Sequence, residues 1–158
     1  YIYSINLCYL WINKNIKMMN FIIAADHAGF KLKEHVKKFL LKKGRKVLDL
    51  GTKSTQSVDY PDYAHLVSKK IGKGKKNLGI LICGSGIGMN MAANRHKNIR
   101  AALCYDAKTS KLSRMHNNAN VISIGARLTK KNVALKCISV FEQTKFSGGR
   151  HLRRVKKI

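Results

Sequence analysis

One stretch constrains this chain more than any other: Leu78–Gly88, reading LGILICGSGIG. Its part Gly79–Ile82 is a short apolar run with β-branched members, the pattern of a strand buried on both faces of a parallel sheet. It ends in Cys83. Gly84, Ser85, Gly86 and Gly88 follow, and Met89–Arg95 then reads as helix. A strand, a tight glycine loop and a helix gather backbone N–H groups around one point at a helix N-terminus. Such a point binds anions and favours the thiolate of a nearby cysteine. The stretch predicts Cys83 as a thiolate beside an anion hole. By residue type alone, a cysteine at a strand end is more often a small buried residue, so the reading needs support from elsewhere in the chain.

The glycines do not fit the common nucleotide patterns. A dinucleotide fingerprint needs G-x-G-x-x-G with an acidic residue about twenty positions on, and Gly84-Ser85-Gly86-Ile87-Gly88 breaks that spacing. The Gly-Lys-Ser/Thr ending of a Walker loop is absent. A phosphatase-type cysteine loop would close with arginine, where this chain has Met89 and Asn90.

A buried parallel strand needs partners joined by crossovers, and the chain supplies them from Asn20 onward. Phe21–Ala25 reads as a strand, Phe30–Lys43 as an amphipathic helix stopped by Gly44, and Lys46–Leu50 as a second strand. A helix runs from about Asp59 to Ile71, with Pro61 near its first turn, and Gly72–Asn77 is a basic loop. After the central stretch come a strand at Arg100–Cys104, a helix at Asp106–His116 capped by Asp106, a strand at Val121–Ile124, and a helix at Thr129–Glu142 capped by Thr129. Ser147-Gly148-Gly149 is a hinge before a basic segment, Arg150–Ile158. Alternation of this kind predicts a five-stranded parallel sheet covered on both faces, a single domain over residues 18–158.

The 158 residues suffice for a real core. The four cysteines (Cys8, Cys83, Cys104, Cys137) form no C-x-x-C pair. That argues against a zinc site or a disulfide framework and suits a reducing cytoplasm. The 32 basic and 7 acidic residues give a net charge of +25, which attracts polyanions non-specifically. The lysines are spread along the chain without aromatic-interleaved RNA motifs, so specific nucleic-acid binding is not expected. Residues 1–17 are apolar and aromatic at first but too short and interrupted to span a membrane, and they make a poor secretory signal. Met18 or Met19 stands just before the first strand, and the natural start is expected there, with 1–17 outside the fold.

Open α/β sheets bind ligands at the carboxyl ends of their strands. Here those ends carry Asp26 and His27, Cys83 to Gly88, and Arg127. Each alone is weak, since an Asp-His pair after a strand is usually a turn and a cap. Their coincidence on one rim predicts a site. Read from residue type alone, His116 is a histidine at a helix C-terminus interacting with the dipole, and Arg150 and Arg154 are a solvated basic tail, four apart on one helical face.

The motifs AADHAGFKLKE (24–34), VDYPDYA (58–64), ILICGSGIGMNMAANR (80–95), SRMHNNANVISIGAR (113–127) and GGRHLRRV (148–155) together resemble ribose-5-phosphate isomerase type B and its relatives, the galactose-6-phosphate isomerase subunits. The resemblance spans about Met19 to Val155. It implies a Rossmann-like three-layer α/β/α sandwich. It also implies a homodimer, or a tetramer, with active sites shared between subunits, and a metal-free interconversion of ribose 5-phosphate and ribulose 5-phosphate with no cofactor.

It implies Cys83 as the base, with Ser85 and the amides of Gly84, Gly86 and Gly88 holding the enediolate oxygens. His116 would open the furanose ring, and Asp26, Asn117 and Tyr60 would contact the sugar. His27, Arg127, Arg150 and Arg154 would clamp the phosphate, with His151 supporting pocket or interface. Allose or galactose 6-phosphate is the alternative substrate. A basic nucleic-acid-associated protein that keeps the fold without the activity is the alternative of a different class.

Overall fold

The structure is a computed structural model, and it describes residues 20–72 and 77–158. The segment 1–17 and the centre of the basic loop between Gly72 and Asn77 lie outside the described residues. Five strands alternate with helices: β1 (Asn20–Ala25), α1 (Phe30–Lys42), β2 (Lys46–Asp49), α2 (Tyr60–Gly72), β3 (Asn77–Cys83), α3 (Ile87–Ala93), β4 (Ala101–Leu103), α4 (Ala107–Asn117), β5 (Val121–Gly125), α5 (Lys131–Gln143) and α6 (Gly149–Val155). The sheet order is β2-β1-β3-β5-β4, and every pairing is parallel.

Two-residue alternation along the strands divides the core in two. Phe21, Ile23 and Ala25 of β1 join Ile80 and Ile82 of β3 on one face, under Leu32, Val36 and Leu40 of α1 and Ala134, Ile138 and Phe141 of α5. Ile22 and Ala24 join Leu81 and Cys83 on the other, under Ala64, Val67 and Ile71 of α2 and Met89 and Ala93 of α3. Helices therefore cover both faces, the three-layer arrangement read from the alternation.

The first strand runs to β2 on one side and the third lies on its other side, so the chain changes direction between β1 and β3. That is the crevice where such sheets bind ligands. The register Ala25↔Ile82 brings the two strand ends level, and Asp26 N–H donates to Ile82 O at 3.1 Å. Gly29 makes this junction possible, because a Cβ there would lie 2.2 Å from Ile82 O.

The helix ends follow local chemistry. Asp106 caps α4 by accepting Thr109 N–H at 2.6 Å, and Thr109 Oγ1 answers the Asp106 N–H. Gly44, at φ +71°, follows the first helix as its stop. Two expectations need correction. The helix after the glycine loop begins at Ile87 rather than Met89, which sets its first turn directly after the glycines. Thr129 does not cap α5, whose N-cap is Lys130 without a side-chain bond. Thr129 N–H is already committed to Gly125 O at 2.9 Å in the turn that leaves β5, so the helix starts beyond it.

Candidate active site

Cys83 ends β3 and is 3% exposed. Its sulfur accepts the Gly86 N–H at 3.1 Å. Gly86 makes that bond as the N-cap of α3 with φ +79°, a conformation L side chains rarely adopt. The carbonyl of the same residue accepts the Ser123 hydroxyl at 2.6 Å, so the donor to the sulfur is anchored from β5. Ile87 N–H points to Ser85 Oγ at 3.2 Å, which leaves the serine hydroxyl hydrogen available to an oxygen outside. An N–H aimed at sulfur favours negative charge there. Burial pushes the thiols of both Cys104 and Cys137 up to about 11.

The loop after Cys83 is strapped to the turn after β5, with Ala126 N–H on Cys83 O at 2.8 Å and Arg127 N–H on Gly84 O at 3.0 Å. The Arg127 side chain crosses Gly84 so closely that a Cβ there would sit 3.2 Å from Nη1. On the other side the ring of Tyr60 presses on Gly88, where a Cβ would lie 2.7 Å from Cε2 and Cζ. The glycines thus give the guanidinium and the phenol direct access to the backbone around the thiol.

Across the crevice Asp26 is buried, and its Oδ1 accepts Gly29 N–H at 2.9 Å. Its other oxygen takes no hydrogen bond from the described residues and can receive a hydroxyl. His27 Nδ1 accepts Val58 N–H at 3.3 Å. An accepting Nδ1 carries no proton, so the ring hydrogen is on Nε2, a donor suited to an anion.

The loop that supplies Val58 is held at its start by Asp49, which accepts Gly51 N–H at 3.0 Å. Asp49 is in turn gripped by Lys33, 1% exposed, at 2.6 and 2.7 Å and by Lys37 at 2.7 Å. Burial raises the Asp49 carboxyl, but the two ammoniums outweigh it and hold it below the usual aspartate range.

Asp26, His27, Tyr60, Cys83, Ser85, the three loop glycines and Arg127 are therefore gathered on one rim. His116, Asn117, Arg150 and Arg154 are not brought to it within one chain. The helix α4 descends from the carboxyl end of β4, and its exit lies at the amino end of the sheet. There Arg100, just before β4, donates from Nε to Asn118 O at 2.9 Å, and Gly79 N–H donates to Asn120 O at 2.9 Å. Four residue steps along β3 separate Gly79 from Cys83, about 13 Å of strand. The last helix joins this lower cluster: Ser147 N–H bonds Met115 O at 3.0 Å, and the His151 ring stacks on His116. Arg150 and Arg154 are exposed beside it.

Two contributors escaped the sequence reading. Ser123 stood out only as a hydroxyl in the apolar run VISIG, and the buried Lys33 left no signal among so many lysines. Among the described residues no helix is long and apolar enough to cross a membrane.

A thiol held by a loop amide, flanked by a carboxylate, an imidazole N–H and a guanidinium at the switch point of a three-layer sheet, defines an α/β protein built for a small anionic substrate. The chain belongs to the Ribose/Galactose Isomerase family, whose model matches residues 21–158. A solved ribose 5-phosphate isomerase from Thermotoga maritima is 49% identical, with a TM-score of 0.86 over 87% of this chain and 95% of that one. A ribose-5-phosphate isomerase B from Mycoplasma genitalium, solved with ribulose 5-phosphate bound, is 42% identical, with a TM-score of 0.85 over 88% of this chain and 93% of that one. The ribose-5-phosphate isomerase B of Escherichia coli is 38% identical over 141 residues, 89% of this chain and 95% of the relative.

Proposed function

We propose that this chain interconverts ribose 5-phosphate and ribulose 5-phosphate, as a cytoplasmic enzyme, at a site completed by a second copy of itself. One observation carries the reading: Cys83, with its sulfur on the Gly86 N–H, stands between the Asp26–His27 pair and Arg127, the combination that proton transfer beside a phosphorylated chain requires. The substrate named for the Mycoplasma genitalium relative supports the choice of sugar.

In the reaction the Cys83 thiolate takes the C2 proton of the open-chain aldose, and the C1 carbonyl oxygen becomes part of an enediolate. The hydroxyl proton passes from O2 to O1, and the thiol returns its proton to C1, leaving the ketone at C2. Ser85 and the amides of Gly84 and Gly88 stabilise the oxygens while charge is on them, the Gly86 N–H being held on the Cys83 sulfur instead; one such donor contributes about 3–4 kcal/mol in comparable sites. The Asp26 carboxylate and Tyr60 orient the sugar, and His27 and Arg127 hold phosphate oxygens.

His116, Asn117, Arg150 and Arg154 serve the site of the neighbouring copy. Pairing two copies about a two-fold axis can bring the lower cluster of each to the upper rim of the other. There His116 opens the furanose ring, Asn117 binds hydroxyls, and the two arginines complete the phosphate clamp.

Steady-state assays on ribose 5-phosphate, allose 6-phosphate and galactose 6-phosphate test the reading. The expected result is the highest kcat/KM on ribose 5-phosphate, abolished in Cys83→Ala. A preference for a hexose phosphate overturns the substrate, and an active Cys83→Ala overturns the base.

A further inference from the structure

His116 and His151 lie flat on one another, with ring centroids 4.2 Å apart and planes within 5°. They come from the last turn of α4 and the first turn of α6. The Ser147–Met115 hydrogen bond fixes the chain between them. Both rings are half-buried. A parallel neighbour at this separation sets the plane of an aromatic ring and with it the direction of its nitrogens.

Desolvation, and after it His116 and the charges of Arg150 and Arg154 on α6, hold His151 below the usual histidine range. Arg114 of α4 is turned to the carbonyls of Ala119 and Thr144, and Glu142 of α5 is held by Arg45 at 2.5 Å.

We propose that His151 is a positioning residue for ring opening: stacked on His116, it fixes the orientation from which that imidazole moves a proton between the anomeric hydroxyl and the furanose oxygen. In that step the anomeric O–H proton is taken up and a proton is delivered to the ring oxygen. The C1–O bond to that oxygen breaks, and the C1 carbonyl forms. The inference rests on the assignment of His116 made above. It also separates ring opening from the chemistry at Cys83, and the two substrates permit a clean test. Ribose 5-phosphate is a furanose and must be opened. Ribulose 5-phosphate cannot close to a furanose, because the hydroxyl it would need carries the phosphate. Exchange of its C1 hydrogen with deuterium from solvent therefore requires the base alone.

The experiment measures, on the full chain, turnover of ribose 5-phosphate and C1 exchange of ribulose 5-phosphate in deuterium oxide for the parent, His151→Ala and His151→Phe. His151→Ala should lower kcat on ribose 5-phosphate about ten- to a hundredfold with KM little changed. It should leave C1 exchange near the parental rate, and His151→Phe, which restores a flat partner, should recover most of the turnover. If His151→Ala does not fold, His151→Asn takes its place. Equal loss in both assays, no loss in either, or a Phe variant no better than Ala overturns the proposal. Failure of the underlying reading looks different: the parent would then not exchange at C1, or His116→Ala would leave ribose 5-phosphate turnover intact.

Discussion

Gly86 donates its backbone N–H to the sulfur of Cys83 at 3.1 Å from a φ of +79°. The thiol and its donor are thus a single local unit, and the donor is specified by a backbone conformation that other residues avoid.

Gly86→Ala should damage both stability and activity. Its Cβ would meet Leu103 Cδ1 at 2.6 Å and Gly125 N at 2.8 Å, on top of the cost of positive φ. A loss of about 1–3 kcal/mol is expected in urea melts. A fall in kcat should accompany it as the N–H leaves the sulfur. Unchanged kcat in a folded variant would remove the amide from the mechanism.

Mixing inactive variants tests the shared site. Cys83→Ala and His116→Ala, each inactive or nearly so alone, should regain activity when unfolded together and refolded as a mixture. Random pairing of equal amounts makes about half the dimers mixed, each with one intact site, so about a quarter of parental activity should return. No recovery would place both residues in one chain's site or dissolve the pairing.

Arg127→Ala should raise KM for the sugar phosphate by tenfold or more, at a cost of about 1.5–3 kcal/mol for a charged hydrogen bond. Competitive inhibition by inorganic phosphate should weaken in parallel. The guanidinium lies against Gly84, so Gly84→Ala, which forces it away, should reproduce part of the effect with the charge still present.

The Lys33–Asp49 pair predicts an acid limit to stability. Asp49 titrates below the usual aspartate range in the folded chain. Its contribution is present above the unfolded pKa near 3.8 and is lost as pH falls through the lower folded value. Asp49→Asn should cost about 3–5 kcal/mol at neutral pH, because it strips a buried ammonium of its main partner. It should also flatten the fall in stability below pH ~4. Denaturant melts at pH 7 and pH 3 measure both effects.

The fold was largely legible because it rests on period. Alternating apolar strands and lysine-faced helices marked each element from Phe21 to Glu142, and most boundaries lie within a residue or two of those expected. The two corrected helix starts, Ile87 in place of Met89 and Lys131 in place of Thr129, lie beside glycine turns, where backbone bonding rather than periodicity decides the boundary. The rim was legible because Asp26, His27, Cys83 and Arg127 each lie at the end of a strand or within two residues after it. Contacts between distant segments were not. Nothing in the spacing of His116 and His151 announces that their rings stack, and nothing around Ser123 announces that it braces Gly86.

Gly29 has a consequence of its own. The vacant space where its side chain would be is filled by the Ile82 carbonyl, one residue before the thiol. Even alanine would wedge the first crossover helix away from the strand that carries the sulfur and part the two halves of the sheet. A saturation-mutagenesis survey of the whole chain should find position 29 tolerating no replacement, though it binds nothing and ionises nothing.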